Sequence, residues 1–289
     1  MHPLSGTSPR SRPQARAFAL MTMILLGGAA GCANVPIKEA GTLSSYDRLG
    51  AATGSLSKSR TYVDGQGLAQ STTVRIVPTT FSPAAAARVP TAADRALVAN
   101  ALDRSLCIAL SDRYQMVGSG QPADLVVRAV VSDLVPTDKG AAGVSKVVSL
   151  GSGAILPVGV PRLPIGLGGL AVEAEAVDRS GTQRAAMVWS RGANSIENSP
   201  RISDVGDAYA LASKFANEFA RVLVRGQPPK GLDLSLPSAQ RTKSWFGGAP
   251  KYAACDAYGR SPGVAGLIAN QLAAPPGWTD KRAATPPTP

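Results

Sequence analysis

Apolar positions along the chain follow two periods, and together they set residues 71–226 apart from the rest. Thr72 to Val77 alternates polar with apolar and stops at Pro78, which predicts a strand. Val98, Leu102, Leu106, Ala109 and Leu110 then recur at helical spacing down to Tyr114, with Thr91 placed to cap the helix and Asp94 three residues on. Leu125 to Val135 is a β-branched run closed by Pro136, a second strand. Leu170 to Val177 and Arg184 to Trp189 flank Asp178-Arg179-Ser180-Gly181-Thr182, a hairpin in which Gly181 supplies the left-handed turn residue. Because Glu173 and Glu175 alternate with Val172, Ala174 and Ala176, one face of this sheet is expected to meet water. The last helix has Ser203 as cap, a stripe of Ala208, Leu211, Phe215, Phe219 and Val222, and Gly226 then Pro228 as its stop. The whole predicts one α+β domain in the order β-α-β-β-β-α, a mainly antiparallel sheet with two helices on one face.

The N-terminus follows a different logic. Residues 1–16 carry Arg10, Arg12 and Arg16 and no acidic residue, and Ala17 to Gly31 then runs fifteen residues without a charge. This is the pattern of a signal peptide. As a helix the run would span about 22 Å, short of the ~30 Å hydrocarbon core, so a permanent membrane span is not expected. It ends in Ala29-Ala30-Gly31-Cys32, which resembles the lipobox of bacterial lipoproteins, with Ala29 where leucine is commoner. That resemblance implies cleavage before Cys32 and a diacylglyceryl group on its sulfur; the competing reading is an ordinary secretory signal beside a chance cysteine. Ala33 follows, not the aspartate that retains many such proteins in the inner membrane, which favours the periplasmic face of the outer membrane.

Cleavage changes the composition that matters. Three of the 30 Lys+Arg leave with residues 1–31 and none of the 19 Asp+Glu does, so the mature chain holds 27 against 19, a net +8. His2, the single histidine, leaves too. A mature chain without histidine cannot run a Ser-His-Asp or Cys-His mechanism and lacks the commonest zinc ligand, so no catalytic residue, metal site or cofactor is predicted. The positive charge argues either for a solvated basic surface or for anionic envelope components. Nucleic acid is not an expected partner of an exported chain whose basic residues are scattered.

Domain boundaries follow composition: signal peptide 1–31, a lipidated N-terminus and Gly/Ser/Thr-rich linker 32–70, the α/β domain 71–226, and a Pro/Gly-rich tail 227–289, partly docked, with its last ten or so residues disordered. Inside the linker, Gly41-Thr42-Leu43-Ser44-Ser45-Tyr46-Asp47-Arg48-Leu49 and then Tyr62-Val63-Asp64 are similar to the start of an uncharacterised family of Gram-negative envelope lipoproteins, a domain of unknown function whose members show Gly-x-Leu-Ser-x-Tyr-x-x-Leu after the lipid cysteine. The resemblance continues through Ala129 to Pro136 and Val172 to Asp178 and covers about residues 41–225. It implies an envelope location and an α/β domain, and no activity. Leu43, Tyr46 and Leu49, at i, i+3 and i+6, form a short apolar stripe expected to dock the linker on the domain.

Two catalytic look-alikes fail on context. Gly166-Leu167-Gly168-Gly169-Leu170-Ala171 matches a dinucleotide fingerprint, but its glycines precede a strand and no helix follows. Ser55-Leu56-Ser57-Lys58 has the Ser-x-x-Lys spacing of penicillin-binding proteins without their downstream elements. The Gly140–Gly169 segment is apolar, charged only at Lys146 and Arg162, and broken by Pro157, Pro161 and Pro164. It reads as a long loop, either a lid over the open sheet face or a surface for lipid or a partner.

With Cys32 taken by lipid, Cys107 and Cys255 remain as an even pair in an oxidising compartment. At roughly 100° per residue, Cys107 lies about 140° from Leu102 and points away from the sheet. A disulfide to Cys255, with Tyr252 and Tyr258 packing around it, is predicted; two free thiols are the alternative. The function expected is that of a non-enzymatic envelope lipoprotein that binds or positions an envelope partner. The other class is a carrier or sensor of an apolar ligand or lipid that uses residues 140–169.

Overall fold

The computed structural model describes residues 34–153, 162–163, 165–228 and 237–280, all within the compact unit Cys32–Pro289. Cys32 and the extreme C-terminus therefore lie outside the described residues, as do Pro157, Pro161 and Pro164 of the apolar segment. In chain order the elements are β1 (Ser57–Val63), α1 (Gly65–Ala69), β2 (Thr73–Ile76), β3 (Thr80–Phe81), α2 (Pro83–Arg88), α3 (Ala92–Leu110), β4 (Gln115–Met116), β5 (Leu125–Val135), α4 (Lys139–Gly153), β6 (Gly169–Asp178), β7 (Gln183–Gly192), α5 (Gly206–Arg225), α6 (Ala239–Trp245) and α7 (Gly263–Gln271), with 3-10 turns at Ala253–Tyr258 and Pro276–Trp278.

The seven strands form one open mixed sheet in the order β1-β7-β6-β5-β2-β4, with β3 also paired to β5. The long ladders β1/β7, β7/β6 and β6/β5 are antiparallel. The short pairings of β2, β3 and β4 are parallel, an addition to the antiparallel plan, and β3 and β4, at two residues each, are too short for their alternation to show. A bulge between Val131 and Asp133 shifts the β5 register. The expected hairpin forms as read: Gly181 sits at φ 81°, and Asp178 Oδ1 accepts the N–H groups of Ser180 and Thr182.

Both predicted helices pack on one face. The stripe Val98, Leu102, Leu106, Ala109 and Leu110 of α3 is buried, as is Ala208, Leu211, Phe215, Phe219 and Val222 of α5. Between them and the strands lie Val127, Val172, Met187 and Trp189. Trp189 meets Phe215 edge-on at 5.5 Å between ring centroids, and its indole N–H donates to Glu218, which satisfies the one polar atom of that ring in the core. The caps differ from expectation. Thr91 occupies the N-cap of α3 without a side-chain bond, and α5 begins at Gly206, three residues beyond Ser203. Gly226 closes α5 at φ 61°, as expected of a left-handed C-terminal glycine.

Three expectations need correction. Residues 57–63, read as linker, are β1 at the sheet edge, paired along their length with β7. Residues 139–153, read as part of a loop, form α4 despite their glycines. The face of β6 assigned to water is covered: Glu173 and Glu175 are 1% and 2% exposed.

Candidate functional site

What covers that face is the family-like motif itself. The segment running from Val35 to Leu49 lies across β6 and β7 as a strap. Leu43 and Leu49 pack with Ala186 and Val188, flanked by Ile37, Tyr46 and Tyr62, so the apolar stripe docks as predicted. Beside this small cluster the two carboxylates collect the strap's donors. Ala40 N–H donates to Glu173 Oε1 (2.6 Å), while the Tyr46 hydroxyl (2.6 Å) and the Thr42 hydroxyl donate to Oε2. Ser44 donates to Glu175 through its N–H and its hydroxyl, both at 2.9 Å, and Arg128 (2.7 Å) and Gln183 (2.9 Å) complete that group. Burial, and then the bond to Glu173, raise the Tyr46 phenol above its ordinary pKa. Paired carboxylates can serve acid-base chemistry; here their lone pairs are filled from the same chain, and the pair fastens the strap.

The opposite side of the domain is built by the tail. Cys107 and Cys255 are joined, their Cα atoms 5.7 Å apart, within the ~7 Å a bridge can span. Arg104 of α3 pairs with Asp280 at 2.7 Å, both buried, and the Tyr209 hydroxyl donates to the same Asp280 oxygen. Tyr258 lies over α3 and its hydroxyl donates to Ile76 O. Beneath it Asp103 accepts from the Thr79 N–H and hydroxyl. Burial raises the Asp103 carboxyl to about 7, against the lowering effect of the Thr79 bonds.

A raised carboxyl stabilises the fold fully below about pH 4, where both states are protonated, and loses that contribution as the pH climbs towards 7 because the unfolded chain ionises first. Asp103 should therefore contribute a downward slope of at most about 1.4 kcal/mol per pH unit between roughly pH 4 and 7. Urea unfolding of the parent and of Asp103→Asn across that window is expected to show their difference shrinking as the pH falls. Parallel curves would rule this out.

At the end of the sheet where β6 starts, Arg162 and Asp207 form a second buried unit. Their bonds are 2.6 and 3.1 Å, and each side chain is 1% exposed. Gly168 N–H (2.8 Å) and the Thr137 hydroxyl (3.1 Å) also donate to Asp207. Thus Arg162, the guanidinium of the apolar segment, ties that segment to the first turn of α5.

On the tail, α7 turns large apolar side chains outwards. Val264, Leu267, Ile268 and Leu272 are exposed, with Trp278 and Ile202 nearby, and Ile202, Ile268, Leu272 and Trp278 line one open groove. Of the predicted site residues, Cys107 and Cys255 come together and Cys32 lies outside the described residues. The strap carboxylates, the Arg162–Asp207 pair and the α7 groove were not read from the sequence; only the alternation of Glu173 and Glu175 hinted at the first. Among the described residues no cluster of three or more His, Cys, Asp or Glu is placed to hold a metal ion, and no helix is long and apolar enough to cross a membrane.

A family model described as a protein of unknown function, DUF3313, matches residues 38–219. That span contains the strap from Lys38 onwards and the strands it covers, and stops short of the tail that bears Cys255. No curated protein matches. Among solved structures, the PelC dodecamer from Paraburkholderia phytofirmans is similar at 11% identity and a TM-score of 0.35, covering 61% of this chain and all of that one. A substituted PelC dodecamer from the same organism gives 14% identity and a TM-score of 0.30, with the same coverage.

Proposed function

Because this chain belongs to DUF3313, a family of unknown function, we propose its role from its own residues: a non-enzymatic lipoprotein of the cell envelope that holds a partner protein through the apolar face of its tail. The observation that carries this reading is the outward face of α7. A nine-residue helix that leaves Val264, Leu267 and Ile268 more than half exposed, with Leu272 at its C-cap and Trp278 nearby, gives up burial worth about 1–2 kcal/mol per side chain unless something covers them. Contiguous apolar surface of this kind marks interaction sites. The disulfide and the Arg104–Asp280 pair hold the face rigidly on α3, which lowers the ordering cost of binding. The groove is open to solvent, which suits the side chains of a partner protein better than a small apolar ligand, whose sites bury most of its surface.

Anchoring by lipid on Cys32 and residence on the outer membrane belong to the same proposal. Cys32→Ala is expected to move the protein from the membrane to the soluble fraction, and globomycin to accumulate the precursor; unchanged processing and fractionation under both would refute the anchor. For the partner, a photo-crosslinker placed at Leu272 in cells should capture one protein. The Ile268→Asp substitution, which puts a charge in the same groove, should abolish that capture. Capture that persists in Ile268→Asp would overturn the assignment of this face.

A further inference from the structure

A second apolar surface surrounds the point at which the chain enters the domain. Val35 lies against the start of β6 and the end of β7, its carbonyl accepting from the Ser190 hydroxyl at 2.9 Å. The start of β1 and the end of β5 lie at this same end of the sheet, since Ser57 pairs with Arg191 and Val135 with Gly169. Leu56 lines one recess with Asn34, Val35 and Asn194. Ile196 follows in the next turn, its N–H held by Asn194, and Ser195 O accepts the Arg162 N–H. Ile165 adjoins Gly166, whose carbonyl accepts the Asp138 N–H before α4. On α4 itself, Ala142 and Ser145 face inwards, and Val144 and Val147 face out. These five aliphatic side chains are 51% exposed at the least, for Ile165, and 88% at the most, for Ile196.

We infer that this end is a membrane-contact surface, with Leu56, Val144, Val147, Ile165 and Ile196 resting in the headgroup region of the bilayer that holds the Cys32 lipid. The inference rests on the anchor proposed above. Two observations select a lipid surface as the occupant. Val35 is three positions after Cys32, a reach of about 10 Å fully extended, so an anchored chain cannot hold this end far from the bilayer. The charge around the rim also suits anionic headgroups. Lys58 is exposed beside Leu56, and Lys146 stands between Val144 and Val147. Of the carboxylates at this end, Asp204 pairs with Lys139, Glu197 with Arg191 and Lys214, and Asp207 with Arg162, while the exposed Asp138 caps α4 by accepting the Ala141 N–H. Aliphatic groups dipping into the headgroup boundary, with lysines reaching to phosphates, is how a protein lies on a membrane without crossing it.

The test uses the full lipidated protein in vesicles of phosphatidylethanolamine and phosphatidylglycerol, with p-benzoylphenylalanine at Val147, at Ile196, or at Ser180 in the hairpin at the opposite end. Phospholipid adducts are expected from the first two positions and not from the third. Vesicle-bound protein without lipid adducts at either rim position overturns the inference, as do equal adducts at Ser180 or adducts to a second copy of the chain. Should Cys32→Ala show that no lipid anchor exists, the anchor reading falls separately, and adducts of the unlipidated chain mixed with the same vesicles, present or absent, decide whether the rim touches lipid.

Discussion

Arg162→Ala is expected to lower stability by about 3–5 kcal/mol, because it leaves the Asp207 carboxylate buried without its counter-ion. The two remaining donors, Gly168 N–H and the Thr137 hydroxyl, occupy one of its oxygens, Oδ2; the other, Oδ1, receives Arg162 at 2.6 Å and would face the interior alone. The cost should fall mostly on Arg162 as the partner of a charge: in an Asp207→Asn background the same substitution should cost much less, since a neutral amide tolerates burial. Chemical unfolding of the two singles and the double closes that cycle. An Arg162→Ala chain within about 1 kcal/mol of the parent would mean that water reaches the pair. A consequence follows for the apolar segment, since deleting residues 144–165 removes Arg162 as well, so such a deletion should destabilise the domain unless Asp207 is neutralised with it.

The second large effect is expected from the disulfide. Its closed loop of 148 residues restricts the unfolded chain by roughly 5 kcal/mol in the entropy model. Replacing both cysteines with alanine, which leaves no lone thiol, should remove much of that and expose the backbone of residues 237–280 to hydrogen exchange. The α3 and α5 amides should stay protected relative to their own global stability, because their stripes face the sheet and not the tail. Unfolding midpoints that coincide with and without reductant would sink this prediction.

The parts of the fold legible in the sequence are those whose partners share one periodic pattern. Helices α3 and α5 carry stripes long enough to state the period and the buried face, and β5, β6 and β7 are branched or alternating runs closed by turn residues. The edge strand β1 was not legible, because Ser57-Lys58-Ser59-Arg60-Thr61 has few apolar groups to alternate; its ladder with β7 is backbone bonding. Alternation did place Glu173 and Glu175 on the face away from the core. It could not say what covers them, since the donors are backbone N–H groups and hydroxyls from residues some 130 positions upstream, with no charge pattern to advertise the match. The Cys107–Cys255 bridge was readable once Cys32 of the three cysteines was set aside for the expected lipid, because the two that remain allow one pairing. The Arg162–Asp207 pair was not, although a single guanidinium in an apolar segment is a residue that needs a partner.

The strap also determines how the domain bears tension. It runs alongside β6 in the same direction, meeting Ser190 first, then Glu173, then Glu175 and finally Gln183, whose amide donates to Ser45 O. A pull on residue 34 along the strands therefore loads these bonds together, in shear, where a pull across the sheet would break them one after another. Force on the N-terminus is thus shared by the two carboxylates before any of it reaches the β1 ladder, and the strap serves the sheet as a mechanical strain relief.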